Sequence, residues 1–160
     1  QNVAAWLKQL IGNDTEYERH VVSSNIDEKT VREIYRLPFE MGVKEGNAQV
    51  VMSAYNKLNN SYGSSHKELL IDILKDEWGF DGYVVSDWGA ALETEENARG
   101  GLDLEMPGPG NVWGEQLYAA VSEGKIEEEL INDKVRRILN IANFSKRFEN
   151  PTNKHEESND

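Results

Sequence analysis

The sequence predicts an α/β fold with a parallel sheet, and two features support that prediction. Short apolar runs at residues 3–7, 49–55, 83–86 and 102–106 have the length of buried strands. Each run is followed by a polar loop and then by a segment whose apolar residues recur at helical spacing. Strand-then-helix units in succession favour right-handed crossovers, and such crossovers make the strands parallel.

The first two units contain recognisable helix boundaries. Residues 12–24 are polar and predict a loop, after which Asp27 is a candidate N-cap for a helix. Pro38 is expected to kink or end that helix because it lacks a backbone N–H. The second apolar run is nearly continuous, as expected for a strand covered on both faces. A helix is predicted over residues 66–78, and Gly79 stands where helices prefer a left-handed cap.

The third and fourth units repeat the pattern and complete the predicted domain. A short helix is expected over residues 90–98, and amphipathic helices are expected around residues 117–121 and 130–139. The four βα units therefore occupy residues 1–148. Residues 149–160 are polar and predict a tail or a linker.

Composition excludes several classes of function. The 160 residues contain 17 Lys and Arg against 29 Asp and Glu, a net charge of -12 that disfavours nucleic acid and anionic membrane surfaces as partners. No apolar run reaches the roughly 18 residues of a membrane span. With no cysteine and three scattered histidines, no metal centre and no cofactor are expected. Nothing indicates a cellular compartment, and a first residue of Gln1 favours a piece of a longer protein.

The residues that follow the predicted strands indicate a carbohydrate ligand. Ligands of parallel α/β folds bind at the carboxyl ends of the strands, where this chain has Lys8, Tyr55, Asp87 with Trp88, and Glu105. Carboxylates bind sugar hydroxyls, and aromatic rings stack on the flat C–H faces of a sugar. The alternative for each residue is structural: an Asp at a strand end often caps the next helix, and a Tyr or Trp there often only packs.

Five stretches of the chain resemble the glycoside hydrolase family 3 β-glucosidases. They read VMSAYNK at residues 51–57, LLIDILK at 69–75, EWGFDG at 77–82, VVSDWG at 84–89 and GLDLEMPG at 101–108. The resemblance extends from about residue 3 to residue 144. It implies that the chain is the second half of that family's N-terminal (β/α)8-type barrel, so that its fold is half of a TIM-type barrel.

The same resemblance implies roles for single residues. Asp87 falls where the family has its catalytic nucleophile, and Trp88 falls where an indole borders the aglycone. A retaining β-glucosidase forms a covalent glycosyl-enzyme on such a carboxylate. The residues in positions that hold the sugar at the cleavage site are Lys8, Gln9, Arg19 and Tyr55.

The chain departs from the family pattern in two places. Gln9 stands where the family usually has His, although a glutamine can still donate to a sugar hydroxyl. The turn after residues 55–57 contains Asn59 and Asn60 and continues to Tyr62 without the usual cysteine. A related branch of β-N-acetylglucosaminidases uses a histidine on the loop after Lys8. The loop of this chain is glucosidase-like, and His20 is expected to be a surface histidine.

The resemblance also implies partners, because the family takes its acid/base residue from a second, C-terminal domain and a sugar-binding Asp from the first half of the barrel. Four βα units do not close a barrel of eight strands. The chain is therefore expected to pair with the missing half-barrel and C-terminal domain, or with a second copy, and to bind a β-glucoside or oligosaccharide. The alternative is a catalytically silent fragment or sugar-binding module. Spacing alone makes Glu105 a candidate acid/base. The simplest interpretation of Glu16 and Asp103 is that they are solvated or structural charges.

Overall fold

The computed structural model describes residues 3–146 and residue 149, and its centre is a three-stranded parallel sheet. The strands in chain order are β1 (Trp6–Leu10), β2 (Ser23–Ser24), β3 (Val50–Ser53), β4 (Lys57–Leu58), β5 (Ser61–Tyr62) and β6 (Tyr83–Ser86). The central sheet has the order β1-β3-β6, and a small second sheet has the order β2-β4-β5.

The register of the central sheet aligns the carboxyl ends of its strands. Leu10 of β1 lies opposite Ser53 of β3, and Ser53 in turn lies opposite Ser86 of β6. Every residue of β3 and β6 is buried, as predicted for strands covered on both faces. Residues that follow the three strands therefore meet at one edge of the sheet.

Helices connect the strands and cover the sheet. They are α1 (Glu28–Thr30), a π-helical turn (Val31–Tyr35), α2 (Leu37–Lys44), a 3₁₀ turn (Gly63–Ser65), a π-helix (Glu68–Glu77), α3 (Thr94–Gly100), α4 (Glu115–Ser122) and α5 (Glu128–Phe144). Two predicted boundaries are confirmed. The side chain of Asp27 accepts a hydrogen bond from the backbone N–H of Thr30 at 3.0 Å, and Gly79 adopts a left-handed φ of 68°.

The first strand lies later in the chain than its apolar pattern predicts. It was expected over residues 3–7 but runs over Trp6–Leu10, so Lys8 lies within the strand and not after it. The bounds of the strand are set by its pairing with β3, where Trp6 lies opposite Val50. Between Leu7 and Leu10 the register shifts, and the strand there contains the polar residues Lys8 and Gln9, which a hydropathy pattern does not assign to a strand.

Two other expectations are only partly met. Pro38 neither ends the helix nor lies in its interior: the helix is interrupted at Arg36, and Pro38 lies in the first turn of α2, where its missing N–H costs little. The fourth apolar run forms no extended strand, and its pairing with β6 is a single parallel bridge between Val85 and Leu104. The predicted tail over residues 149–160 lies outside the described residues, apart from Glu149.

The two faces of the sheet pack into separate apolar clusters. Successive side chains of a strand point to opposite faces. Val51 and Val84 belong to the main core with the π-helix, whereas Val50, Val85 and Tyr83 belong to a smaller cluster. The rings of Trp6 and Tyr83 form a T-shaped contact on this second face, with centroids 6.4 Å apart, and Trp6 is 45% exposed. The second face is therefore incompletely covered.

Asp103 anchors a buried group of charges. One of its carboxylate oxygens accepts the Val84 N–H at 2.8 Å, and the other lies 2.8 Å from Lys75 Nζ and 4.0 Å from Lys134 Nζ. Burial lowers the pKa of Lys134 to about 8, and the neighbouring carboxylate only partly opposes this effect. Asp103 is thus a structural charge, which is one of the two roles expected for it.

Candidate active site

Asp87 lies immediately after β6, at the edge where the three strands of the central sheet end. Its backbone N–H donates to the carbonyl of Ser53, the last residue of β3, at 3.4 Å. Tyr55 lies two residues after β3, and Gln9 is the penultimate residue of β1. Because the strands are adjacent and parallel, they bring these three side chains together at one edge, where ligands of such folds bind.

Both carboxylate oxygens of Asp87 accept hydrogen bonds. Oδ1 accepts one from the Tyr55 hydroxyl at 3.0 Å and one from the backbone N–H of Trp88 at 2.7 Å. Oδ2 accepts one from Nε2 of Gln9, and Nζ of Lys8 lies 3.9 Å from the same oxygen. Because Asp87 is 7% exposed, these donors replace the water that the carboxylate loses on burial.

The donors keep Asp87 ionised. Burial raises the pKa of Asp87, but the hydrogen bonds from the Trp88 N–H, Gln9 and Tyr55, together with the charge of Lys8, outweigh it. The pKa therefore lies below its usual value of 3.8, and the side chain is a carboxylate at neutral pH. An ionised carboxylate held in one orientation is suited to nucleophilic attack.

Tyr55 is held between two side chains of the loop that follows β1. The guanidinium of Arg19 lies 3.9 Å from the centroid of the Tyr55 ring, and the His20 and Tyr55 rings form a T-shaped contact with centroids 5.0 Å apart. Burial and the hydrogen bond to Asp87 raise the pKa of Tyr55, so it remains a neutral donor. The structure thus brings Arg19 to the site through Tyr55. His20 is exposed as expected, but it also contacts a residue of the site.

Two loop residues that the sequence analysis did not assign to the site belong to it. Nδ2 of Asn13 donates to Oε1 of Gln9 at 2.9 Å and to Oε1 of Glu16 at 3.1 Å. The other oxygen of Glu16 accepts a hydrogen bond from Arg19 at 2.8 Å. Glu16 is therefore not simply solvated. The sequence carries no local signal that distinguishes these two polar loop residues from residues that only face solvent.

Lys8 and Trp88 lie next to Asp87 but remain open to solvent. The side chain of Lys8 is 60% exposed, and Trp88 is 63% exposed. The backbone of Trp88 contributes a donor to Asp87, whereas its indole is free to contact a ligand. Its assignment to the aglycone side stays a prediction.

Glu105 is a structural residue in this arrangement. Its Oε1 accepts the N–H groups of Asn111 and Val112 at 2.7 and 3.1 Å, and its Oε2 accepts that of Trp113 at 2.8 Å. The side chain is buried and holds the loop after residue 106. Because both oxygens are occupied by backbone donors, the suggestion from spacing that Glu105 acts as the acid/base is not supported.

Two further properties concern the described part of the chain. Among residues 3–146 and 149, no group of three or more His, Asp or Glu side chains could hold a metal ion. In the same residues, none of the helices combines the length and the apolar character needed to cross a membrane.

Sequence comparisons relate the chain to β-glucosidases. Residues 1–141 match the family described as "Glycosyl hydrolase family 3 N terminal domain". The chain is 51% identical over 139 residues to a β-glucosidase of Rhizobium radiobacter, covering 87% of this chain and 17% of that protein. It is 42% identical over 158 residues to a probable β-glucosidase I of Aspergillus clavatus, covering 99% of this chain and 19% of that protein.

Solved structures show the same fold. The β-glucosidase 3B of Thermotoga neapolitana, in complex with glycerol, matches with a TM-score of 0.89 at 39% identity, over 94% of this chain and 22% of that chain. The Kluyveromyces marxianus β-glucosidase, in complex with glucose, matches with a TM-score of 0.87 at 38% identity, over 92% of this chain and 18% of that chain. The predicted fold class, parallel βα units of a TIM-type barrel, is confirmed. The chain spans about a fifth of the length of these relatives, and it belongs to glycoside hydrolase family 3, within the N-terminal domain of that family.

Proposed function

We propose that the chain supplies the nucleophile and part of the glucose-binding pocket of a retaining β-glucosidase. The observation that supports this function most strongly is the state of Asp87. Its carboxylate is ionised, accepts hydrogen bonds on both oxygens and lies at the carboxyl edge of a parallel sheet. The relatives of the chain are named β-glucosidases, so the expected substrate is a terminal β-D-glucosyl residue.

In the proposed reaction an oxygen of Asp87 attacks the anomeric carbon of glucose. The bond from that carbon to the aglycone oxygen breaks, and the leaving oxygen takes a proton from a general acid. Water then attacks the anomeric carbon of the glycosyl-enzyme and gives a proton to the same acid/base group. The bond to Asp87 breaks, and the carboxylate is restored. Two inversions at one carbon give net retention.

The side chains around Asp87 suit the recognition of a sugar. Lys8 and Gln9 present donors beside the carboxylate, and a glucose hydroxyl is an acceptor for such groups. Arg19 and Tyr55 form a stacked pair at the same edge, and the exposed indole of Trp88 offers a flat face. In this proposal Trp88 borders the aglycone, and the glucosyl unit is held by the other four residues named here: Lys8, Gln9, Arg19 and Tyr55.

The proton donor and the rest of the pocket come from other parts of the polypeptide in this proposal. Glu105 is committed to backbone donors, and Glu16 is paired with Arg19. Strand β1 pairs only with β3 among the described residues, so its other edge is open, and Trp6, the first residue of the strand, is 45% exposed. The missing half-barrel and the C-terminal domain would cover this edge. A second copy of the chain is the competing partner.

The test of this function uses a chimera in which the chain replaces the matching segment of the Rhizobium radiobacter β-glucosidase. Hydrolysis of an aryl β-glucoside is compared for the unaltered chimera, Asp87→Ala and the control Asp72→Asn, which changes an exposed carboxylate on the π-helix. We expect loss of turnover only for Asp87→Ala. Equal rates for Asp87→Ala and the unaltered chimera would remove Asp87 from the mechanism.

A catalytically silent, sugar-binding fragment is the second candidate, because Glu105 and Glu16, the two carboxylates discussed above as candidates, are both engaged in other contacts. The isolated chain would then shift its tryptophan fluorescence with glucose while failing to hydrolyse the glucoside. Light scattering at low micromolar concentration measures whether the isolated chain is a monomer or self-associates, and so tests whether a second copy covers the open edge of β1. A compact 18 kDa monomer with cooperative unfolding would contradict the need for a partner.

A further inference from the structure

A closed circuit of side chains surrounds the edge of the site. Arg19 donates to Glu16, Asn13 donates to both Glu16 and Gln9, and Gln9 donates to Asp87. Tyr55 donates to the other oxygen of Asp87, and its ring lies under the guanidinium of Arg19. The six residues of this circuit come from β1, from the loop after it and from the residues after β3 and β6. We call it the Asp87 circuit.

The direction of each hydrogen bond in the circuit is determined by chemistry. An ionised Glu16 can only accept, so the amide of Asn13 must turn its NH₂ group toward it. The same NH₂ group donates its second hydrogen to Oε1 of Gln9, which lies 2.9 Å from Nδ2 of Asn13. The oxygen of the Gln9 amide is therefore engaged, and its NH₂ group is the one that faces Asp87.

A glutamine amide can rotate by half a turn without a change of shape, and then its oxygen would face the carboxylate. That orientation would replace an attractive contact with oxygen-to-oxygen repulsion. We propose that Asn13 is a positioning residue that prevents this rotation of Gln9, and so holds a donor on the oxygen of Asp87 that Tyr55 does not contact. This inference rests on the proposed function, in which Asp87 is the nucleophile.

The parts of the circuit differ in strength. The Arg19–Glu16 pair is exposed, with side-chain exposures of 37% and 64%, so solvent screens it and it contributes little to stability. Asn13 is half-buried, and within the described part of the chain its Oδ1 is buried without a hydrogen-bond partner. An amide that leaves one polar atom unsatisfied is held there by the bonds of its other atom. The main effect is therefore expected at Asn13, and a smaller one at Glu16.

The activity test uses the Rhizobium radiobacter chimera described above. Asn13→Ala is expected to lower kcat/KM by about tenfold or more, because Gln9 is then free to rotate and its hydrogen bond to the charged Asp87 is no longer always formed. It also moves the acidic limb of the pH profile of kcat/KM to higher pH, since Asp87 becomes easier to protonate. Glu16→Ala has a smaller effect, because the loss of its negative charge favours the ionised form of Asp87 while the loosening of Asn13 favours the protonated form. The control Asn132→Ala, on an exposed face of α5, leaves both quantities unchanged.

A second measurement requires no turnover. NMR titration of the Asp87 carboxyl in the 160-residue chain is expected to show a higher pKa in Asn13→Ala than in the unaltered chain. An unchanged pKa together with an unmoved acidic limb would overturn the role of Asn13, even if kcat/KM fell. If Asn13→Ala does not fold, Asn13→Ser takes its place with the same two readouts, because a hydroxyl has a single hydrogen and cannot donate to both Gln9 and Glu16. If Asp87→Ala retains turnover, the proposed function fails, and the NMR titration still tests Asn13.

Discussion

Lys134 offers a test of how the interior of this chain tolerates charge. It lies on α5, is 4% exposed, and its ammonium is 4.0 Å from a carboxylate oxygen of Asp103. That oxygen is closer to Lys75, at 2.8 Å, so two lysines share one carboxylate. Replacing Lys134 by Met keeps the length of the side chain and removes its charge, while Lys75 continues to pair with Asp103.

The magnitude follows from the pKa of Lys134, which burial lowers from 10.5 to about 8. The charged form is less favourable in the folded chain than in the unfolded chain, so folding is opposed while both states are protonated. Between pH 8 and 10.5 the folded chain loses its proton first, and the free energy of unfolding rises with pH. A shift of this size corresponds to roughly 3 kcal/mol, of which about 2 kcal/mol develops between pH 7 and 9.5.

Urea unfolding at pH 7 and pH 9.5 measures this effect. The free energy of unfolding of the unaltered chain should rise by about 2 kcal/mol between these values, with a further contribution of the same sign from Lys75, whose pKa is also lowered by burial. Lys134→Met should show a smaller rise and be more stable at pH 7 by up to about 3 kcal/mol. The exposed control Lys67→Met should behave as the unaltered chain does. An equal rise in Lys134→Met and the unaltered chain would refute the reasoning.

Three other predictions concern the site and the loop beside it. Tyr55→Phe removes one hydrogen-bond donor from the proposed nucleophile, so kcat/KM of the chimera should fall about tenfold to a hundredfold. The acidic limb of the pH profile of kcat/KM should also move to higher pH, and an unmoved limb would contradict this role of Tyr55. Gly110→Ala would place a Cβ against Oε2 of Glu105, closer than van der Waals contact allows, and should lower the free energy of unfolding in urea by about 1–3 kcal/mol. Gly108→Ala, with open space around it, is the control and should change little. Trp88→Ala should raise the KM for an aryl β-glucoside while stability stays within about 0.5 kcal/mol, and an unchanged KM would remove the indole from the aglycone side.

The fold was predictable where local chemistry and burial agree. The second and third apolar runs became β3 and β6, which are buried on both faces, and Gly79 ends its helix as expected. The prediction was wrong for the first strand, because Lys8 and Gln9 are polar residues that lie in a strand and face the site. A pattern that equates strands with apolar residues fails where a strand ends at the edge that carries the candidate site.

The site was only partly predictable. Motif resemblance assigned Asp87, Tyr55 and Arg19, and the structure brings them to one edge of the sheet. It did not assign Asn13 or Glu16, because nothing local distinguishes a loop amide that orients another amide from one that faces water. The orientation of Gln9 depends on partners on both of its sides, and neither is visible from its immediate neighbours in the chain.

The sequence by itself determined the α/β class, the parallel strands, the helix caps and the carboxylate at the end of β6, because hydropathy and backbone preference act over a few residues. Only the tertiary structure decided which groups meet that carboxylate. Gln9 and Asp87 are 78 residues apart in the chain and become partners because β1 and β6 flank β3. Contacts of this kind depend on strand order and register, which arise from packing over the whole sheet and not from any one segment.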